Sequence, residues 1–394
     1  MTPPARFQLS PRARLLTPEA PGLSALLKGL EAGSSLHARQ TGGEPLLLSD
    51  EARQWLTCES TGTSGPPKTI RRSPASWIAS FELHRTLLGV SEADTHATLG
   101  ALGHSLTLFA TLEALHLGAG LAALGGASPK AQARALAAHR VSTLYATPAQ
   151  LRLLARGAKA AGLTLPDLKR ILSGGGKLDA ALKAALEELC PEAEIREFFG
   201  AAETSFITLS DAHTPEGSVG RAYPGVELRI TEGAHEVPQG ETGEIWVRSP
   251  YLFEGYAAGD APETRWQGGW LAIGEMGRLD AGGHLSLRGR KSRMVTVADH
   301  NVFPEEIEAV ALGLPGVTLA AALTLPDATR GTSITCVLEA ADDPGLEPRL
   351  RAACRARLGA ASVPRRVVVL ARMPLLPGGK PDLQRLARDL EATP

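Results

Sequence analysis

Only four cysteines occur in 394 residues, and Cys58, Cys190, Cys336 and Cys354 are scattered with no C-x-x-C spacing. That excludes a cysteine zinc site and a disulfide framework, and makes a reducing cytoplasm the simplest home. A basic excess is missing too: 41 Lys and Arg stand against 42 Asp and Glu, for a net charge of −1. Neither nucleic acid nor an anionic membrane is therefore expected as the main partner. No stretch reads as an integral membrane segment. The most apolar one, Ser105–Gly125, carries Glu113, His116 and several glycines, and reads as a buried helix running into a buried strand. Met1–Leu9 mixes prolines with Arg6 and has no apolar centre, so no signal peptide is expected. Internal repeats and low-complexity tracts are also lacking.

What is present is concentrated in Ser60-Thr61-Gly62-Thr63-Ser64-Gly65-Pro66-Pro67-Lys68. These nine residues hold four hydroxyls, two glycines and a lysine. Glycine tolerates positive φ and lets backbone N–H groups converge on an oxyanion. Hydroxyl donors and the Lys68 charge suit a polyphosphate. The nucleotide-kinase pattern G-x4-G-K-[ST] does not fit around Lys68. With an apolar run at Gln54–Cys58 before it and Ser73-Pro74 opening a helix after it, the segment predicts a strand–loop–helix phosphate cradle.

From about residue 54 to 200, short apolar runs alternate with helical patterns. Strands are predicted at Gln54–Cys58, His96–Ala101, Gly120–Leu124, Ser142–Ala146, Leu168–Leu172 and Glu194–Phe199. Helices are predicted at Pro74–Leu88, Ser105–Leu117, Lys130–His139, Pro148–Ala161 and Leu178–Leu189. This α/β alternation predicts a parallel sheet flanked by helices, with ligands outside the carboxyl ends of the strands. After residue 216 the texture shifts to strands at Val226–Thr231, Glu244–Arg248 and His284–Arg288, a small antiparallel β unit. Beyond the basic run Gly289-Arg290-Lys291-Ser292-Arg293 comes a compact α+β domain. Its elements are predicted at Pro304–Leu312, Val317–Leu325, Ser333–Glu339, Leu346–Leu358 and Arg366–Leu370. The expected organisation is a large N-terminal domain over 1–289 and a small mobile α+β C-terminal domain over 290–394. Within the first, 1–53 is a lead-in, 54–216 the α/β part and 217–289 the β-rich part.

Further segments fall in order behind the phosphate loop: Ser173-Gly174-Gly175-Gly176-Lys177-Leu178, Phe199-Gly200-Ala201-Ala202-Glu203-Thr204, Gly268-Gly269-Trp270 through Gly274-Glu275, Gly289-Arg290 and Pro377-Gly378-Gly379-Lys380. Together they resemble the adenylate-forming superfamily of acyl-CoA synthetases, nonribosomal adenylation domains and luciferases, over roughly residues 54–390. The resemblance implies that Ser60, Thr61, Gly62, Thr63, Ser64, Gly65 and Lys68 hold the phosphates of ATP. It implies that Gly174, Gly175 and Gly176 admit the adenine, with Phe199 stacking nearby and Gly200, Ala201 and Ala202 beside the nucleotide. Glu203 matches a magnesium-binding glutamate, Glu275 an acceptor of the ribose hydroxyls, and Arg290 a contact to ribose or phosphates. Ser292 falls at the hinge near 290–293, and Lys380 at the lysine that bridges the substrate carboxylate and the α-phosphate. His104, Tyr145 and Lys177 fall at the acyl pocket, with Leu106–Leu117 and Phe199–Phe206 as further lining. Trp270 reads as a packing residue.

The implied activity is ATP- and Mg2+-dependent conversion of a carboxylic acid to acyl-AMP, then transfer to CoA. Delivery to the phosphopantetheine of an acyl-carrier protein, or to an amine, is the nearer alternative. A non-catalytic nucleotide-binding relative is the remoter one, against which both Lys68 and Lys380 argue. Four departures from the pattern bear on this. Ala202 lacks a hydroxyl, Glu275 replaces aspartate, Lys177 replaces proline, and Ala298-Asp299-His300 replaces a Gly-Gly-Glu turn beside the pantetheine path. The phosphate loop also begins early, with the preceding subdomain abbreviated to residues 1–53. So trimmed a chain is expected to cover its sheet edge by forming a homodimer.

Overall fold

The computed structural model describes residues 6–17, 19–40, 43–60, 68–297, 300–327, 331–376 and 380–391. It is an α/β protein whose contacts gather into two compact units. Of the described residues, one comprises those within 6–60, 68–227 and 248–260, the other those within 228–247 and 261–391.

The first unit is built on an eight-stranded sheet. Across it lie Arg14–Leu15, Gly120–Ala123, Thr95–Thr98, Thr143–Ala146, Arg170–Ser173, Glu194–Ala201, Ser205–Leu209 and Arg221–Ala222. Its first six strands are parallel, as the helix–strand alternation predicts, and the last two turn back antiparallel. Helix ends follow local chemistry. Pro148–Ala161 starts with Pro at its first turn and a reciprocal Thr147–Gln150 capping box, and stops at Gly162 in the left-handed region. Ser105–Leu117 ends the same way on Gly118. A second sheet of five strands contains Gly255–Ala258, Lys68–Arg72, Leu56–Ser60, Ser35–Ala38 and Leu46–Ser49. The short lead-in thus contributes to both sheets, which sequence patterning did not anticipate.

One face of the large sheet is aliphatic: Ala97, Leu144 and Ile171 pack on Leu136, Leu151, Leu154, Leu182 and Leu186. The other is aromatic and polar. Trp77, Phe81, Phe109, Tyr145, Phe206 and Tyr223 are buried there, with ring centroids 5.0–6.0 Å apart along Phe81–Phe109, Phe109–Phe206, Phe206–Tyr223 and Phe109–Tyr145. At its centre lies Glu113, fully buried. It accepts from His84 Nδ1 at 2.5 Å and from the Tyr145 hydroxyl at 2.6 Å, with His96 Nδ1 at 3.6 Å. Burial pushes its carboxyl up, but His84, His96 and Tyr145 outweigh that and hold it below its ordinary value.

In the second unit, strands between His235–Glu236 and Thr264–Gln267 form an antiparallel sheet around Gly243–Arg248 and Trp270–Leu279, with Leu285–Arg290 paired to the latter. Trp270 is a packing residue, buried against Trp246 with the Arg229 guanidinium 4.1 Å from its ring. The chain then builds a three-stranded sheet, Leu319–Asp327, Gly331–Glu339 and Arg366–Leu370. Helices Pro304–Leu312 and Leu346–Leu358 share a core with one face, and Leu383–Glu391 packs on the other through Leu386.

Deleting one member of a buried charge cluster strands the others, at a cost of about 3–5 kcal/mol. Glu113→Ala should therefore lower unfolding free energy by about that amount, against less than about 1 kcal/mol for Glu82→Ala on the surface. Urea melts of the two variants check this.

Candidate active site

Ser60 and Lys68 are paired across an antiparallel hairpin, at the end of Leu56–Ser60 and the start of Lys68–Arg72. Thr61, Gly62, Thr63, Ser64 and Gly65 lie outside the described residues, as does the Ser60 side chain. The hairpin corrects the expected strand–loop–helix order. A five-residue strand separates the loop from helix Pro74–Leu87, because Thr69, Ile70 and Arg71 extend the pairing opposite Glu59, Cys58 and Thr57.

That strand ends in Arg72, which is completely buried. Its Nη1 donates to Ser76 Oγ and to the Tyr251 carbonyl, both at 3.1 Å, and its Nη2 to the Ala202 carbonyl at 2.5 Å. Its guanidinium lies 5.1 Å from the Trp77 ring centre. Burial lowers its pKa to about 10, while the neighbouring Cys58 and Glu203 act against the fall, so it stays a cation. Arg72 thereby fixes the turn that carries Glu203. The same turn is tight: a Cβ on Gly200 would meet the Ser205 carbonyl oxygen at 1.9 Å, and Ser205 itself takes a φ of +59°. The Phe253 N–H donates to the Glu203 carbonyl at 2.8 Å, and the Tyr256 hydroxyl to Glu203 Oε1 at 2.9 Å. Ala201 N–H donates to Thr204 Oγ1 at 3.0 Å. Of the two Glu203 carboxylate oxygens, Oε1 is the one with a hydrogen-bond partner among the described residues, and a carboxylate is the type of group that could hold a hard cation.

Gly174, Gly175 and Gly176 follow strand Arg170–Ser173, with Gly175 at φ +79°. Phe199 lies on Glu194–Ala201, half-buried, with no ring partner among the described residues. Lys177 faces a carboxylate: Glu197 accepts from Leu178 N–H at 3.1 Å and feels the charges of Lys177 and Lys183. Burial pushes its carboxyl up to about 7 against those pulls. His104 stands just before helix Ser105–Leu117 and lines a cavity of about 300 Å³ with Thr98, Thr107 and Arg39. Burial lowers its pKa. Tyr145 sits deeper, in the buried Glu113 cluster.

In the second unit, Glu275 and Arg290 are opposite each other on paired strands. Arg290 Nε donates to Glu275 Oε1 at 3.1 Å. Lys380, some ninety residues further on, comes within electrostatic reach of both. The Glu275 carboxyl is raised by burial, drawn down by Arg290 and Lys380, and raised again by Glu305. Desolvation and then Arg290 lower the Lys380 ammonium pKa, and Glu275 opposes them. Although the residue keeps exposed surface, protein atoms crowd its ammonium. Its carbonyl accepts from Leu376 N–H at 2.8 Å. Pro377, Gly378, Gly379, Ala298 and Asp299 are outside the described residues, and His300 is exposed on His300–Val302.

Ser292 is exposed within the turn Lys291–Arg293. Its neighbours are tied down: Arg293 pairs with Glu305 at 3.0 Å and Glu308 at 2.7 Å, and Arg290 N–H donates to Glu305 Oε1 at 3.3 Å. A Cβ on Gly289 would meet Glu305 Oε2 at 2.4 Å and force that side chain to shift, and the residue's φ of +149° also favours glycine.

Arg72, Tyr256 and Glu197 escaped the sequence reading. No local pattern signals them, since Arg72 follows the exposed Arg71 on its strand.

The AMP-binding enzyme family model matches residues 58–257, and that of the AMP-binding enzyme C-terminal domain matches 306–380. The chain is 30% identical over 358 residues to the uncharacterized acyl-CoA ligase YhfT of Bacillus subtilis, spanning 89% of this chain and 72% of that one. It is 28% identical over 400 residues to the salicyl-AMP ligase / salicyl-S-ArCP synthetase of Mycobacterium tuberculosis, spanning 98% and 70%. Among solved structures, amide bond synthetase McbA from Marinactinospora thermotolerans aligns with a TM-score of 0.76 and 28% identity, covering 90% of this chain and 72% of that one. O-succinylbenzoate CoA synthetase (MenE) from Bacillus subtilis, with its acyl-adenylate intermediate, aligns at 0.74 and 25%, covering 84% and 68%.

Glu197 gives a pH signature. Its carboxyl holds a proton more tightly in the folded chain than in the unfolded one. The resulting stabilisation is fully present below about pH 4.5 and lost as pH rises through about 7. Relative to Glu197→Gln, the wild-type melting temperature should fall across that window. Parallel melting curves at the two ends would reject the assignment.

Proposed function

The chain belongs to the AMP-binding enzymes, and from that membership we propose an ATP-dependent ligase that activates a carboxylic acid as acyl-AMP and passes it to the thiol of CoA. The observation that carries the reading is the gathering of Glu275, Arg290 and Lys380, from distant parts of the sequence, into one charged group within the second unit.

In the first half-reaction a carboxylate oxygen bonds to the α-phosphorus of ATP, and pyrophosphate leaves with the electron pair of the broken P–O bond. Both reactants are anions, so the chain's task is to hold them in line and supply positive charge where the transition state is most negative. Lys380 bridges the acid and the α-phosphate. Lys68, with the hydroxyls and glycines of 60–65, holds the outer phosphates. Glu275 accepts from the ribose hydroxyls, Arg290 contacts ribose or phosphate, and Phe199 stacks on the base beside Gly174–Gly176. Glu203 would hold magnesium, with the Tyr256 hydroxyl orienting one of its carboxylate oxygens. Mg2+ supplies charge neutralisation on the phosphates when bound. The second half-reaction replaces AMP by the thiol sulfur. Residues 290–394 turn about Ser292 between the two steps, so the domain boundary falls at 289/290. The four cysteines are all free and buried, which supports a cytoplasmic home.

A second acceptor reading rests on the departure at Ala298-Asp299-His300 and on relatives named for carrier-protein and amide products. Supplying CoA, a holo-carrier protein and an amine to the preformed acyl-AMP separates the three.

A cation about 4 Å from an anion at an effective dielectric near 20 is worth about 4 kcal/mol. Lys380→Ala should accordingly slow acid-dependent pyrophosphate exchange by about a thousandfold. It should still convert supplied acyl-AMP and thiol to product. Equal loss of both steps would contradict alternation about Ser292. Arg72→Met frees the Glu203 turn and should raise the Mg2+ concentration for half-maximal exchange about tenfold; an unchanged Mg2+ requirement would show that Arg72 has no bearing on the metal.

A further inference from the structure

We infer that Phe198 closes the acyl pocket and restricts the enzyme to compact acids, short aliphatic chains or a single small ring. This rests on the ligase reading above and adds the substrate class.

Glu194–Ala201 runs parallel to Arg170–Ser173 with Glu197 opposite Ser173. Phe198 therefore reaches the next residue, Gly174, where the strands end and the acid must meet the nucleotide. The contact is close. A Cβ built on Gly174 would stand 2.2 Å from Phe198 Cζ, 2.4 Å from Cε2 and 2.7 Å from Cε1. The tip of the ring fills the space above the glycine. On its other side the ring meets Phe206, with centroids 4.5 Å apart. Phe206 is held in turn by Phe109 at 5.3 Å, His84 at 5.3 Å and Tyr223 at 5.0 Å.

This wall has no room to recede. Behind it His84 and Tyr145 are hydrogen-bonded to the buried Glu113 carboxylate. Retreat of Phe206 would break a charged, water-excluded cluster. Phe198 and Phe206 together form this wall beside Gly174. Room for a longer tail appears only if Phe198 leaves, and close-packed interiors do not supply it otherwise.

Binding of non-reactive acyl-sulfamoyl adenosines to the full chain tests this without requiring turnover. Butyryl and benzoyl forms should bind wild type roughly tenfold or more tightly than the decanoyl form. Phe198→Ala should remove that preference by tightening the decanoyl form relative to the butyryl form, and Phe198→Leu, which preserves more of the packing, should fall between. Equal affinity of wild type for butyryl and decanoyl forms overturns the inference. So does an unchanged order of preference in a Phe198→Leu protein that melts normally. If wild type binds none of the analogues, the ligase reading itself fails and takes the inference with it; chain-length-independent binding leaves that reading intact and removes the inference alone.

Discussion

A guanidinium with no access to water organises the first unit. Arg72 ends the strand that follows the phosphate loop and grips the carbonyl of Ala202, the residue before Glu203. A buried cation must be satisfied or it destabilises the fold, so three oxygen acceptors and the Trp77 face are arranged around it. Satisfying the charge also fixes the distance between the hairpin that ends in Lys68 and the turn that presents a carboxylate. Gly200 and Ser205 shape the turn, and the Tyr256 hydroxyl holds one oxygen of that carboxylate. The position of the acidic group follows from an electrostatic debt incurred elsewhere in the core.

The second unit solves a related problem with alternating charges. Glu244, Arg265 and Lys291 form one cluster, and Glu275, Arg290, Glu305, Arg293 and Glu308 form another. In the second cluster the acids are deeply placed. Burial raises the carboxyls of Glu275 and Glu308, and each is drawn back by an arginine. Lys380 lies within electrostatic reach of Glu275 and Arg290, its own proton loosened by desolvation and by Arg290.

Much of this was legible in the residues. Ser105–Leu117, Pro148–Ala161, Pro304–Leu312, Leu346–Leu358 and Arg366–Leu370 fall where periodicity, N-terminal prolines and closing glycines place them. The parallel order of the central strands followed from continuous apolar runs. The antiparallel return at Ser205–Leu209 was not legible, because a turn forced by one glycine approaching one carbonyl leaves no periodic trace. The strand Lys68–Arg72 was hidden because Arg71 and Arg72 look like surface residues until the fold encloses the second of them. The motifs of the site were readable as a set, since their order along the chain carries the information. Their partners, Arg72, Tyr256 and Glu197, are set by tertiary contacts and by no local pattern.

The approach of Glu305 to Gly289 has a mechanical implication. Residue 289 has no side chain, so the acid from helix Pro304–Leu312 can lean over the backbone and accept from Arg290 N–H, while Arg288 pairs with Glu306 at 3.0 Å. Swivelling the terminal residues about Ser292 would have to unfasten these bonds together, whereas the Arg293 pairs to Glu305 and Glu308 travel with the helix. The segment is thus a clasp with a rigid hook and a bare catch. One of its bonds is an ion pair, so added salt should weaken that part of the grip.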